Sequence, residues 1–237
     1  MFTLNIIMLA GRLGGDAEII PLAGGRRAGK IDLAVDRNIK GPSGRWKTET
    51  HWARVVTYAP FLVDLLEASG KSGTPFYVQG ALRARSWDQD GEKRHMLEVE
   101  VDANGGLAPL AEPMSVNTVL LTGRLGSNAD IKTLPGNGGS KIATMSVGVD
   151  RGYKAADGSY PTDWIRIVTF QPSLIDKTLA KQAVKGRLIT IQGGFRAREW
   201  TEKDTGEIKT SYEIEVETGT GIVPVLERKK EKANADR

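Results

Sequence analysis

The sequence predicts an all-β protein of two tandem five-stranded Greek-key barrels, each with one helix, and three observations carry that expectation. The chain of 237 residues repeats itself once, at an offset that stays between 112 and 115 residues. Within each copy, apolar and polar residues alternate in run after run, the period of a half-buried strand. Only one segment per copy has the spacing of a helix.

The repeat is explicit. IIMLAGRLGGDAEI (6–19) recurs as TVLLTGRLGSNADI (118–131), and HWARVVTYAP (51–60) as DWIRIVTFQP (163–172). YVQGALRARSW (77–87) recurs as TIQGGFRAREW (190–200), and EVEV (98–101) as EIEV (213–216). A period this long makes each copy a domain, not a solenoid unit. The domains are expected at 1–104 and 115–222, joined by a Gly- and Pro-bearing linker at 105–114. The charged end, 223–237, has no apolar periodicity and is expected to be a disordered tail.

Taken in order, the opening apolar run has no basic region before it and stops at Arg12, so it reads as a first strand and not a signal peptide. IDLAVDR (31–37) alternates as a second strand, TETHWARVVTY as a third and TPFYVQGALRARSW as a fourth. Turn signals separate the runs at Gly41-Pro42, Ser43-Gly44, Asp90-Gly91, Asp157-Gly158 and Thr205-Gly206. The helical segments are 59–69 and 172–184, each between the third and fourth strands. That order is the OB fold, a partly open Greek-key barrel. Gly80 and Gly193 fall in mid-strand, where a barrel needs a sharp bend or bulge.

Composition bounds the function. Hydrophobic content of 40% with 26% charged residues is ordinary for a globular domain. The net charge of +4 permits an anionic partner only if the positive charge is gathered on one face. With no cysteine and two histidines, disulfides, thiolate metal sites and histidine-rich metal sites are excluded. No run reaches the roughly 20 apolar residues of a membrane span, so a cytoplasmic, nucleoid-associated protein without membrane contact or cofactor is expected.

Strand parity carries the functional inference, because residues i, i+2 and i+4 share a face. Trp52, Arg54, Val56 and Tyr58 share one face of the third strand, and Trp164, Arg166, Val168 and Phe170 share its counterpart. In the fourth strand, Phe76, Val78, Gly80, Leu82 and Ala84 form the core side, leaving Tyr77, Gln79, Arg83, Arg85 and Trp87 outside. Copy two places Gln192, Arg196, Arg198 and Trp200 outside. A Trp in a strand more often packs in a core or at a rim than under a ligand. Here it shares a face with two arginines and a glutamine, which no barrel core accepts. Aromatic faces stack on bases without reading sequence, at roughly 1–3 kcal/mol per base, and guanidinium groups meet phosphates. Duplex DNA hides its base faces, so such a surface favours single strands.

These residues resemble the bacterial single-stranded DNA-binding protein family. The resemblance rests on GRLG (11–14 and 123–126), on WARVVTY and WIRIVTF, and on GALRARSW and GGFRAREW, and covers about residues 3–104 and 115–218. It implies stacking aromatics at Trp52, Tyr58 and Trp87 and at Trp164, Phe170 and Trp200. A further one is implied after the second strand: Tyr153 fills it in copy two, whereas copy one has Ile39, so that platform is lost or taken over by Trp46. The residue after the third-strand Trp, often His in the family near a subunit contact, is Ala53 or Ile165 here. The resemblance implies four OB folds per assembly, which a homodimer of this chain would supply. The family's acidic tip is replaced by ERKKEKANADR, so recruitment of replication enzymes by that route is not expected.

Other motifs carry less. GGRRAGK (24–30) has phosphate-loop spacing, but Ile31 stands where Ser or Thr would hold magnesium and a strand follows instead of a helix. DQDG (88–91) lacks the downstream acid of a calcium loop, Val99 taking its place, and reads as a hairpin tip. His51 has core-side parity, and His95 lies in a hairpin strand with no catalytic constellation around it. A non-enzymatic single-stranded DNA coat in replication, recombination or repair is the leading expectation. A primosome or replication-restart adaptor and a single-stranded RNA binder are the alternatives.

Overall fold

The computed structural model describes residues 3–40, 45–89, 91–135, 139–202, 206, 208–216 and 221–224. The turn expected at Gly41–Gly44, Asp90, Thr205 and the tail from 225 onward lie outside the described residues.

Copy one folds as β1 (Asn5–Leu13), β2 (Glu18–Pro21), β3 (Arg27–Lys40), β4 (Trp46–Thr57), α1 (Pro60–Ser69), β5 (Pro75–Gln89), β6 (Glu92–Val101) and β7 (Gly106–Pro109). Five of these strands close a ring in the order β1-β3-β4-β6-β5-β1, with β4 and β6 parallel and the other neighbours antiparallel. Copy two supplies β8 (Val116–Leu125), β9 (Asp130–Thr133), β10 (Lys141–Asp150), β11 (Thr162–Thr169), β12 (Leu188–Thr201), β13 (Ile208–Val216) and β14 (Ile222–Pro224). Its ring is β8-β10-β11-β13-β12-β8, with β11 and β13 parallel. The short strands β2, β7, β9 and β14 extend these rings at their edges. Gly106–Pro109, expected as linker, is thus a strand on β5. Arg27–Lys30 of the phosphate-loop lookalike, which reads as a basic loop between strands, belong instead to β3, whose pairing begins before the alternating run at 31–37.

The alternation places the core. Phe76, Val78 and Leu82 of β5 and Phe195 of β12 are fully buried, as are Leu33, Val35, Val147 and Val149. Val56 and Val168 are buried too, although their parity puts them with the exposed aromatics. At Gly80 and Gly193 a Cβ would sit 2.4 and 2.6 Å from the carbonyl oxygens of Glu100 and Glu215, so only glycine permits the close strand approach there.

The helices differ by one residue, and the difference is localised. Phe170 follows Tyr58 by 112 positions, whereas Trp200 follows Trp87 by 113. Helix α1 buries Leu62, Val63 and Leu66; its counterpart buries Leu174, Ile175 and Leu179. The extra residue therefore falls between Ile175 and Leu179, and the chain forms a π-turn over Ile175–Leu179 between short α segments. A single inserted residue is what a π-bulge absorbs, and here it keeps the same three apolar side chains on the core.

The barrels join through β1 and β8, which pair antiparallel from Asn5↔Leu121 to Ala10↔Val116 and make one 14-stranded sheet. The equivalent residues Ile7 and Val119 face each other at its centre, so the halves are related by an approximate two-fold. Asn5 exchanges two 2.9 Å hydrogen bonds with the backbone of Leu82, and Asn117 does the same with Phe195 at 2.9 and 2.7 Å. Away from that centre the barrels meet through Asp163 and its equivalent His51. Both are buried, and both reach the other barrel's fourth strand. Asp163 accepts from the Ala84 N–H at 2.8 Å, and His51 Nδ1 lies 3.1 Å from the Ala197 carbonyl.

Candidate nucleic-acid interface

The outward face of β4 carries Trp52 and is followed by Tyr58, and that of β11 carries Trp164 and is followed by Phe170. With Trp87, Tyr153 and Trp200 these side chains are between 39% and 55% exposed. Such exposure for seven large rings, six of them at repeated positions, is not core packing. The final glycine of each GRLG motif explains how the Trp rings lie. A Cβ at Gly14 would fall 2.4 Å from the Trp52 ring and one at Gly126 2.6 Å from Trp164. The edge of each ring thus rests on bare backbone while about half of each side chain stays open to solvent.

Grooves gather several of these groups. Trp52 and Arg54 share one of 420 Å³ with Gly14, Asp32, Met96 and Tyr212. Trp164, Arg166 and Trp200 share another of 320 Å³ with Arg85, Met96 and Tyr212. Met96 belongs to the first barrel and Tyr212 to the second, so both grooves run along the junction. Arg198 meets Trp52 across the junction in a third groove, and Phe170 meets Arg196 in a fourth. Tyr58, Trp87 and Tyr153 line none of these four.

The arginines are not bare cations. Arg54 grips Asp32 at 2.9 and 3.2 Å, Arg83 pairs with Glu100 at 3.4 Å, and Arg85 pairs with Glu98 while donating to the Tyr58 hydroxyl at 2.7 Å. Arg196 meets Glu215 at 2.8 Å and Arg166 meets Glu213 at 3.4 Å. These carboxylates were not among the residues singled out from the sequence. Their signal was present, because the glutamates of EVEV and EIEV alternate and so share one face of β6 or β13, beside the arginine strand. Burial raises the Glu98 carboxyl above its ordinary value against the pull of Arg85 and Arg54. Burial, and after it the charges of Arg37 and Arg196, holds the His51 imidazole below its ordinary value against the Ala197 carbonyl.

The family model of single-strand binding proteins matches residues 4–105 and again 116–220. The chain belongs to the single-strand binding protein family. It is 35% identical over 98 residues to single-stranded DNA-binding protein 1 of Chlorobaculum tepidum, a match that takes in 40% of this chain and 60% of that relative's length. A deletion mutant of the single-stranded DNA-binding protein from Thermus aquaticus superposes with a TM-score of 0.75 over 97% of this chain and 98% of that one, at 19% identity. The wild-type Thermus aquaticus protein gives 0.73 over 96% of each chain, also at 19% identity. The structural likeness establishes a shared all-β barrel fold. Among single-strand binding proteins this one carries both family matches in one chain, with the junction grooves between them.

Among the described residues, no group of three or more His, Asp or Glu side chains is placed to hold a metal ion. No helix of the described residues is long and apolar enough to cross a membrane.

Proposed function

We propose that this chain coats single-stranded DNA without reading its sequence, through two tandem OB folds at 1–104 and 115–222, in replication, recombination or repair. One observation carries the reading: equivalent aromatic rings are held open to solvent in both copies, with Trp52 and Trp164 each beside an arginine. Trp52, Tyr58, Trp87, Tyr153, Trp164, Phe170 and Trp200 act as stacking platforms. Arg54, Arg83, Arg85, Arg166, Arg196 and Arg198 meet phosphates. Because most of these arginines are held by carboxylates, a phosphate must share or displace that partner, and affinity comes mainly from stacking. Two copies of the chain form the working assembly and present four barrels; light scattering of the free protein measures this as a dimer mass.

Equilibrium binding of a dT oligonucleotide and of a duplex of equal length tests the reading. Two bases stacked at about 1–3 kcal/mol each correspond to a preference for the single strand of at least about thirtyfold. Affinity falls as salt rises, by about 0.7 log units per tenfold salt for each phosphate engaged. Equal affinity for duplex and single strand would overturn the stacking mechanism.

A further inference from the structure

The first barrel carries an aromatic that belongs, by position, to the second. Strands β3 and β4 remain paired for four residue pairs beyond Asp36↔Thr50, out to Lys40↔Trp46. The equivalent strands β10 and β11 stop at Asp150↔Thr162. The overhanging hairpin lies along the second barrel and is pinned there. Arg37 reaches Glu215 at 2.9 Å, the two side chains 11% and 12% exposed, and Glu215 also holds Arg196. At the tip of the described hairpin stands Trp46, 71% exposed. It lines a 580 Å³ groove whose opposite wall is Phe170 and Pro172 of the second barrel.

Parity ties this groove to the first barrel's platform. Trp46, Thr48, Thr50 and Trp52 alternate onto one face of β4. Trp46 therefore lies about 20 Å from Trp52 along the same face. The intervening groove, with Arg196 and Arg198 on its far wall, shares Glu49 and Arg196 with the Trp46 groove. Two contiguous grooves thus lead from an aromatic of one barrel to an aromatic of the other, with side chains of both barrels along the way. A Trp kept open to water that shares a groove with Phe170, Arg37 and Arg196 suits a flat aromatic ring attached to an anion.

Resting on the single-strand reading above, we propose that Trp46 and Phe170 form a composite base-stacking subsite. Through it a single strand passes from the first barrel to the second within one chain. Trp46 is thus a DNA-binding residue of the junction, and the overhanging hairpin exists to deliver it.

The full chain carrying Trp46→Ala, Trp46→Phe, Phe170→Ala or Trp52→Ala is titrated with two dT oligonucleotides. One is long enough to cover both barrels and one short enough for a single barrel. Trp46→Ala weakens binding of the long oligonucleotide by about tenfold, and Trp46→Phe restores most of it. The Trp46→Ala Phe170→Ala pair loses less than the product of the single losses, because both rings serve one subsite. The melting temperature of Trp46→Ala stays at that of the parent, since the side chain is exposed. Unchanged affinity of Trp46→Ala for the long oligonucleotide, with a loss in Trp52→Ala, overturns the composite subsite and leaves this face to a protein partner. If Trp52→Ala is also without effect, the single-strand reading itself has failed.

Discussion

The two barrels repeat each other where ring closure demands it and part where it does not, and the junction displays the difference best. Asp163 is fully buried and gathers Arg151 at 2.7 and 3.0 Å and Arg83 at 3.5 Å besides the Ala84 N–H. Its equivalent, His51, makes one contact to the Ala197 carbonyl, and its Nε2 finds no hydrogen-bond partner among the described residues. A neutral imidazole cannot neutralise an arginine, so Arg37, the counterpart of Arg151, turns instead to Glu215. That contact ties the long β3–β4 hairpin to the second barrel. The comparison teaches that one exchanged residue, aspartate for histidine, converts a symmetric contact into a directional one.

Removing Asp163 should expose the asymmetry most strongly. Asp163→Ala takes the carboxylate from Arg151 and the acceptor from the Ala84 N–H at a buried junction, while Arg83 keeps Glu100, and should cost about 3–5 kcal/mol. His51→Ala should cost only about 1 kcal/mol. Urea unfolding of both variants measures this, and equal losses would mean that the two halves of the junction are energetically alike after all. Next in size, Gly14→Ala and Gly126→Ala each push one Trp ring out of its seat. Each should weaken DNA binding by about 1–3 kcal/mol through its own barrel, read as a loss in titration with dT while far-UV circular dichroism is retained. Matching losses would make Trp52 and Trp164 equal partners; a one-sided loss would rank the barrels.

The smallest effect concerns pH. The imidazole of His51 titrates below its ordinary value, so its neutral form stabilises the fold above about pH 6.5, and this contribution is lost as pH falls through the depressed value. The charged groups facing it are Arg37 and Arg196, which oppose its protonation, and Glu49, which favours it. Between pH 8 and pH 5, the parent should therefore lose more of its melting temperature than His51→Phe. Parallel curves for the two proteins would remove His51 from the account.

Much of this was legible beforehand, for reasons tied to particular residues. The repeat and the period-two alternation identified the rings' strands, and parity separated Trp52 and Trp164 from the core. The step in offset between Phe170 and Trp200 signalled an inserted residue, but only the buried trio Leu174, Ile175 and Leu179 locates it in a π-turn. The carboxylates behind the arginines stayed hidden because pairing Arg85 with Glu98 needs the β5–β6 register, which alternation alone does not set. The junction stayed hidden for a different reason. His51 and Asp163 have core-side parity, and their partners come from the other copy, beyond the reach of any pattern within one.

The central claim is that the exposed rings of both barrels stack on single-stranded DNA. Intrinsic Trp fluorescence during titration with poly-dT, for the parent and for Trp87→Ala and Trp200→Ala, tests it most directly. The account predicts strong, saturable quenching that weakens with salt and is smaller in each variant. Absence of quenching, or quenching that neither substitution changes, would contradict it.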